Sequence, residues 1–125
     1  MKTSTIAALS VIGGLGLGGL TVHGLYAQSR APAYYVAEVE ILDEAAMREF
    51  GPKVAAVTQA HGGKYIVRSR TATAIEGAPP KIVIIAQFES VEKIVAYRNS
   101  PEYKAIDDLR RKSSRERSFA VEGLN

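Results

Sequence analysis

His61 is the one histidine beyond the first 27 residues. An imidazole titrates near neutrality and can serve as a general base. The competing reading is a polar residue closing a helix, where the C-terminal dipole favours it. A lone histidine beyond the leader, in a chain without cysteine, gives no set of metal ligands, so a metal site is not expected. No cofactor is expected. The absence of cysteine also excludes thiol catalysis and disulfides.

Three further groups of side chains could do chemistry. Glu38 and Glu40 alternate on one face of a first strand, and Arg68 and Arg70 on the corresponding face of a second, with Gln87 on a strand between them. Together they could line a polar cavity for a small anionic or hydroxylated ligand. The alternatives are an ion-pair network that holds a dimer, or solvated edge residues. Tyr97, Asn99, Tyr103 and Arg110 cluster on two consecutive helices and could hold a ligand carboxylate or aromatic ring. Their structural reading is that Tyr103 packs on the sheet, Asn99 closes a helix and Arg110 bonds carbonyls near a helix end. Arg110-Arg111-Lys112 with Arg115 and Arg117 form a basic patch, suited either to a polyanion or to a solvated helix terminus.

The segment Phe88–Arg110 must position the third group, and its grammar is explicit. Ser90 caps one helix, with Glu92 in its first turn. Ser100-Pro101-Glu102 caps a second, with proline at the position where its missing N–H costs nothing. Tyr103, Ile106 and Leu109 or Arg110 then share one face.

Upstream, Tyr34 to Leu42 alternates as a strand, with Tyr35, Ala37, Val39 and Ile41 on its apolar face. Asp43 caps a helix whose buried stripe is Met47, Phe50, Val54 and Val57. Gly51-Pro52 interrupts that helix, so a kink or two short helices are expected. Gly62 or Gly63 ends it. A second strand runs from about Lys64 to Ile75, with Tyr65, Val67, Ser69 and Thr71 on one face and Lys64, Ile66, Arg68 and Arg70 on the other. Glu76–Pro80 is a turn. Lys81 to Phe88 is apolar on both faces, the mark of a central strand. Arg110 to Arg117 reads as a basic, polar exit, and Ser118 to Glu122 as a last short strand.

The order is β-α-β-β-α-β with the second helix split: an α+β, ferredoxin-like arrangement with spatial strand order four, one, three, two. Helices cover one sheet face. The other remains apolar, and a second copy laid over it would bury it.

Tyr35-Val36, His61-Gly62-Gly63-Lys64-Tyr65, Glu76-Gly77, Phe88-Glu89-Ser90, Tyr97-Arg98-Asn99-Ser100-Pro101-Glu102-Tyr103, Arg110 and Val121-Glu122-Gly123 together resemble the domain of unknown function 1330 family. The resemblance spans Ala33 to Gly123. It departs from the family pattern at Tyr97 and at Gly51-Pro52. It implies a dimeric α+β barrel: two ferredoxin-like subunits, sheets face to face, helices outside. That superfamily includes small monooxygenases, isomerases and haem-handling proteins.

Lys2, the uncharged run Ile6–Leu20 and the small residue Ala27 form a targeting pattern over residues 1–27, read as a signal peptide or an N-terminal anchor. Residues 28–33 are a linker and 34–123 the domain. Either reading of the leader puts the domain outside the cytoplasm, periplasmic or secreted, with membrane contact only if the leader is retained. With 16 Lys+Arg against 13 Asp+Glu the charge is too balanced for a nucleic-acid partner. The partners expected are a second copy and a small molecule. Two functions follow: a cofactor-independent oxygenase or isomerase acting on a small aromatic or lactone-like metabolite, or a non-catalytic ligand-binding or stress-associated homodimer. A roomy cavity converging on His61, Arg68 or Arg110 favours the first, a filled core the second.

Overall fold

Asp43 sets the first helix. Its backbone is extended and its carboxylate accepts a 3.0 Å hydrogen bond from the Ala46 N–H, satisfying one of the helix's free donors. The computed structural model describes residues 31–125, and the targeting segment lies outside them. The elements are β1 (Ala33–Ile41), α1 (Glu44–Ala60), β2 (Lys64–Ser69), β3 (Ile82–Phe88), α2 (Val91–Arg98), α3 (Pro101–Ser113) and β4 (Ser114–Glu122). All belong to one unit, Ala31–Leu124. The sheet is antiparallel with order β2-β3-β1-β4, the ferredoxin-like α+β arrangement. Among the described residues, no helix is long and apolar enough to cross a membrane.

Both later caps form. The Ser90 hydroxyl accepts from Lys93 N–H and the Ser100 hydroxyl from Tyr103 N–H. Gly62 supplies the left-handed turn at the end of α1, with φ +83°. Gly63, next in line, is needed for space instead. A Cβ there would lie 2.5 Å from Phe88 Cζ and 2.7 Å from Thr58 Cγ2. Gly63→Ala is therefore expected to cost about 1–3 kcal/mol through overpacking, readable as a lowered midpoint in urea. An unchanged midpoint would mean that Phe88 is free to move aside.

Three expectations are corrected. Helix α1 runs unbroken through Gly51-Pro52. Pro52 removes the hydrogen bond to the Arg48 carbonyl, but contacts with α3 and the packing of Met47, Val54 and Val57 on the hydrophobic core hold the helix. β2 stops at Ser69 rather than Ile75, and residues 70–81 join it to β3 outside any helix or strand. β4 begins at Ser114, directly after α3, so the presumed basic exit is half helix and half strand.

Alternation along β1 divides the sheet. Ala33, Tyr35, Ala37 and Val39 are buried under the helices, joined by Ile82, Ile84, Ala86 and Phe88 of β3. The opposite face carries Val36, Ile85 and Phe119 in cross-strand register. Phe119 and Val121 remain 43% exposed there.

Candidate functional site

A bulge decides which side chains reach the helix-covered face. Between Tyr65 and Val67 the pairing of β2 with β3 slips by one residue. Tyr65 stands opposite Ala86 and faces the helices, while Val67 stands opposite Ile85 and faces away. After the slip Arg68 pairs with Ile84, on the helix side again. Arg68 and Arg70 thus lie on the face opposite Glu38 and Glu40, so the four charges do not share a cavity.

Glu38 instead accepts from Arg117 Nε at 2.9 Å and Nη2 at 2.5 Å, and Glu40 lies 3.8 Å from Arg115. Both are directly paired across β1 and β4. These bridges divide the expected basic patch between the sheet and α3, where Arg111 pairs with Asp107 at 2.9 Å.

A cavity of about 620 Å³ lies between α1 and the helix-facing side of the sheet, within the range of small-molecule sites. Ala37, Val39, Ile82 and Ile84 form its sheet wall; Met47, Gly51, Val54 and Ala55 form its helix wall. Arg68 and Arg70 line one side. The Arg68 guanidinium stacks 5.0 Å from the centre of the Tyr65 ring, and Arg70 is 3.8 Å from Glu44. Among the described residues Arg68 has no carboxylate within ion-pair distance.

Tyr35, Tyr97, Tyr103 and Glu116 also border the cavity. The Tyr35 hydroxyl donates to Glu116 Oε1 and accepts from Arg98 Nη1, each at 2.5 Å. Arg98 also donates to Ser118 at 3.2 Å and lies 4.4 Å over the Tyr103 ring. Arg110 donates to Asp107 at 3.2 Å and lies 3.9 Å from Glu116 Oε2. A second cluster joins Thr58 to Tyr97 at 2.8 Å and Tyr65 at 3.1 Å. The Thr58 hydroxyl donates to the Val54 carbonyl at 2.7 Å, so both tyrosines act as its donors.

Burial, then the nearby Glu116 charge, pushes the Tyr35 phenol far above its ordinary range. Burial likewise raises Tyr97. Burial, then Glu116, pushes Tyr103 up to about 12. All three remain protonated donors at neutral pH. Among the described residues, no buried side-chain polar atom lacks a hydrogen-bond partner. The Tyr35–Glu116–Arg98 network is thus complete without a ligand, and the cavity's remaining cationic lining is Arg48, Arg68 and Arg70, of which Arg70 pairs with Glu44.

The remaining candidates are dispersed. His61 Nε2 lies 3.4 Å from Glu102 Oε2, and its ring does not border the cavity. Asn99 is an exposed C-cap of α2. Arg110 pairs inside the chain with the carboxylates of Asp107 and Glu116 rather than with helix-end carbonyls. Glu116, Arg98 and Thr58 are not among the candidates that the sequence offers, and Tyr35 stands there only on an apolar strand face and in the family motif. The usable signal was the strand-like alternation Arg115-Glu116-Arg117-Ser118-Phe119, which turns Glu116 to the side opposite its two arginine neighbours. Among the described residues, no group of three His, Asp or Glu side chains is placed to hold a metal ion.

The sequence profile of the Domain of unknown function (DUF1330) matches residues 32–124. The chain belongs to the DUF1330 family. No curated protein shows a significant match in sequence. Among solved structures, this DUF1330 chain is similar to a protein of unknown function from Rhodopseudomonas palustris, with 18% identity, TM-score 0.63, and 82% of this chain and 93% of that one covered. It also resembles SnoaB, a cofactor-independent oxygenase from Streptomyces nogalater, at 11% identity and TM-score 0.58, covering 76% and 95% of the two chains. A dimeric ferredoxin-like protein of unknown function from Thermobifida fusca matches at 8% identity and TM-score 0.55, covering 74% and 92%. At these identities the likeness carries the fold alone. It agrees with the ferredoxin-like arrangement read from this DUF1330 sequence.

Proposed function

We propose that this DUF1330 protein is a homodimer that binds a small, flat, largely apolar metabolite with one anionic group in the cavity between α1 and the sheet, and acts on it without a cofactor in the manner of an oxygenase or isomerase. The observation that carries the reading is the cavity itself: aliphatic walls, with Arg48, Arg68 and Arg70 in its lining and, among the described residues, no carboxylate within ion-pair distance of Arg68. Guanidinium groups there would hold a carboxylate or a phenolate. Water exclusion by the aliphatic walls would strengthen that attraction and hold a substrate anion in one orientation. The likeness to SnoaB supports the oxygenase side of this reading. The apolar sheet face and the dimeric neighbour support the homodimer.

One observation favours a non-catalytic binding protein instead. The cavity's one carboxylate that faces buried phenols, Glu116, already accepts from Tyr35 and lies beside Arg98 and Arg110, which leaves it poorly placed to take a proton.

A thermal-shift panel of hydroxylated aromatic carboxylates tests the reading, followed by oxygen-uptake assays with those that bind. Arg68→Ala should preserve the fold and weaken binding by roughly tenfold, as for loss of one charge-assisted contact. Uptake of oxygen with a bound ligand supports the enzyme, and binding without turnover supports the alternative. If no member of the panel raises the melting temperature, the cavity reading fails.

A further inference from the structure

Gly51 lies well inside α1, where glycine is among the poorest helix formers. Three ordinary reasons for a glycine can be checked. Its backbone does not need a positive φ, since Gly62 and Gly77 are the glycines that adopt one. It does not relieve a tight contact, because a Cβ built at Gly51 would meet nothing within 4 Å. It does precede Pro52, whose ring crowds the Cβ of a helical predecessor. That last reason only moves the question to the pair, because proline is still less suited to a helix interior. A helix secured by its N-cap and buried stripe keeps two adjacent residues that weaken it, and both line the cavity. Local preference and fold disagree here, as they do at functional positions.

We infer that Gly51 is the specificity-determining residue of the cavity: its missing side chain lets a flat aromatic ring lie against the bare backbone of α1. This rests on the cavity being the ligand site. Ala37 and Ala55 line the same space, so helix and sheet both leave room. Arg68 and Arg70 then take the ring's anionic substituent. The ligand class that follows is an aromatic anion, held flat between helix and sheet, and its permitted bulk is set at residue 51.

The test uses anilinonaphthalene sulfonate, a fluorescent aromatic anion, titrated into the full-length protein and four variants. Pro52→Ala removes the proline and its crowding of residue 51. It should melt higher than the wild type by roughly a few degrees, and its own affinity for the probe is the reference for the residue-51 variants. Gly51→Leu added to Pro52→Ala should remain folded and melt at least as high as the wild type. It should bind the probe roughly tenfold more weakly, as for overfilling a packed site. If the leucine variant does not fold, Gly51→Ala with Pro52→Ala adds one methyl into open space and should still weaken binding measurably. Equal affinity in Pro52→Ala and the folded double variant overturns the role of Gly51. If Arg68→Ala weakens the probe while the residue-51 variants do not, the cavity reading survives and this inference falls. If neither substitution changes binding, the cavity reading falls with it.

Discussion

Replacing Glu116 with alanine is expected to destabilise the fold by about 3 kcal/mol, at the lower end for breaking a buried charge pair. The side chain of Glu116 is only 9% exposed. Its carboxylate takes the Tyr35 hydroxyl and lies beside the guanidinium groups of Arg98 and Arg110. Removal leaves one buried phenol without its acceptor and two cations without their shared counter-charge. Water reaches Arg98, whose side chain is 29% exposed against 15% for Arg110, which is why the low end of the range applies. Glu116→Gln keeps an acceptor for Tyr35 and loses only the charge, so its cost should be smaller. Urea unfolding at neutral pH measures both. A loss in Glu116→Ala below about 1 kcal/mol would place the network among surface ion pairs and contradict its role as the polar anchor between β1, α2 and β4.

Replacing Ile85 with lysine should turn the proposed homodimer into a monomer. Ile85 stands opposite Val36 on one side and Val67 on the other, at the centre of the helix-free face. A two-fold interface buries the substituted position twice, so two ammonium groups lose their water at once. An uncompensated buried charge costs several kcal/mol, enough to raise the dimer's Kd by more than about a hundredfold. The ion pairs Glu38–Arg117 and Glu40–Arg115 lie on the same face, where they frame the apolar centre. Light scattering at micromolar concentration reads the outcome. A wild-type monomer, or a dimer that survives Ile85→Lys, would remove this face from the account. A dimer lost by Ile85→Lys but not by Glu40→Ala would place the binding energy in the apolar centre.

Local chemistry was legible in the sequence, and register was not. Asp43, Ser90 and Ser100 announce helix starts because a cap needs only its own next few residues, and each forms its expected hydrogen bond. The two-sided apolarity of β3 likewise announced a central strand. Lys64–Thr71 reads as regular alternation, yet the bulge at Ile66 moves Arg68 and Arg70 to the other face. A bulge belongs to a pair of strands, and one strand's sequence does not display it. Glu116 was hidden for a related reason. Among Arg115 and Arg117 it looks like part of a charged tail; alternation separates it from the arginines, but pairing with β1 is what sets the arginines against Glu40 and Glu38 and makes the side of Glu116 the inner one. Thr58 reads as a polar helix residue until Tyr65 and Tyr97 converge on its hydroxyl. The cavity is a packing property of several elements, so it had no sequence signal beyond the unusual Gly51-Pro52 step. That step reads as a kink or a division into two short helices, while the structure places it on a wall of the cavity.

The most direct test is a crystal structure of the protein grown with hydroxynaphthoate, a flat aromatic carboxylate that fits a cavity of this size. The expected result is density between α1 and the sheet, with the ring against the Gly51 backbone and the carboxylate toward Arg68. Saturable binding in solution combined with a water-filled cavity, or a ligand seated on the helix-free sheet face, would contradict it.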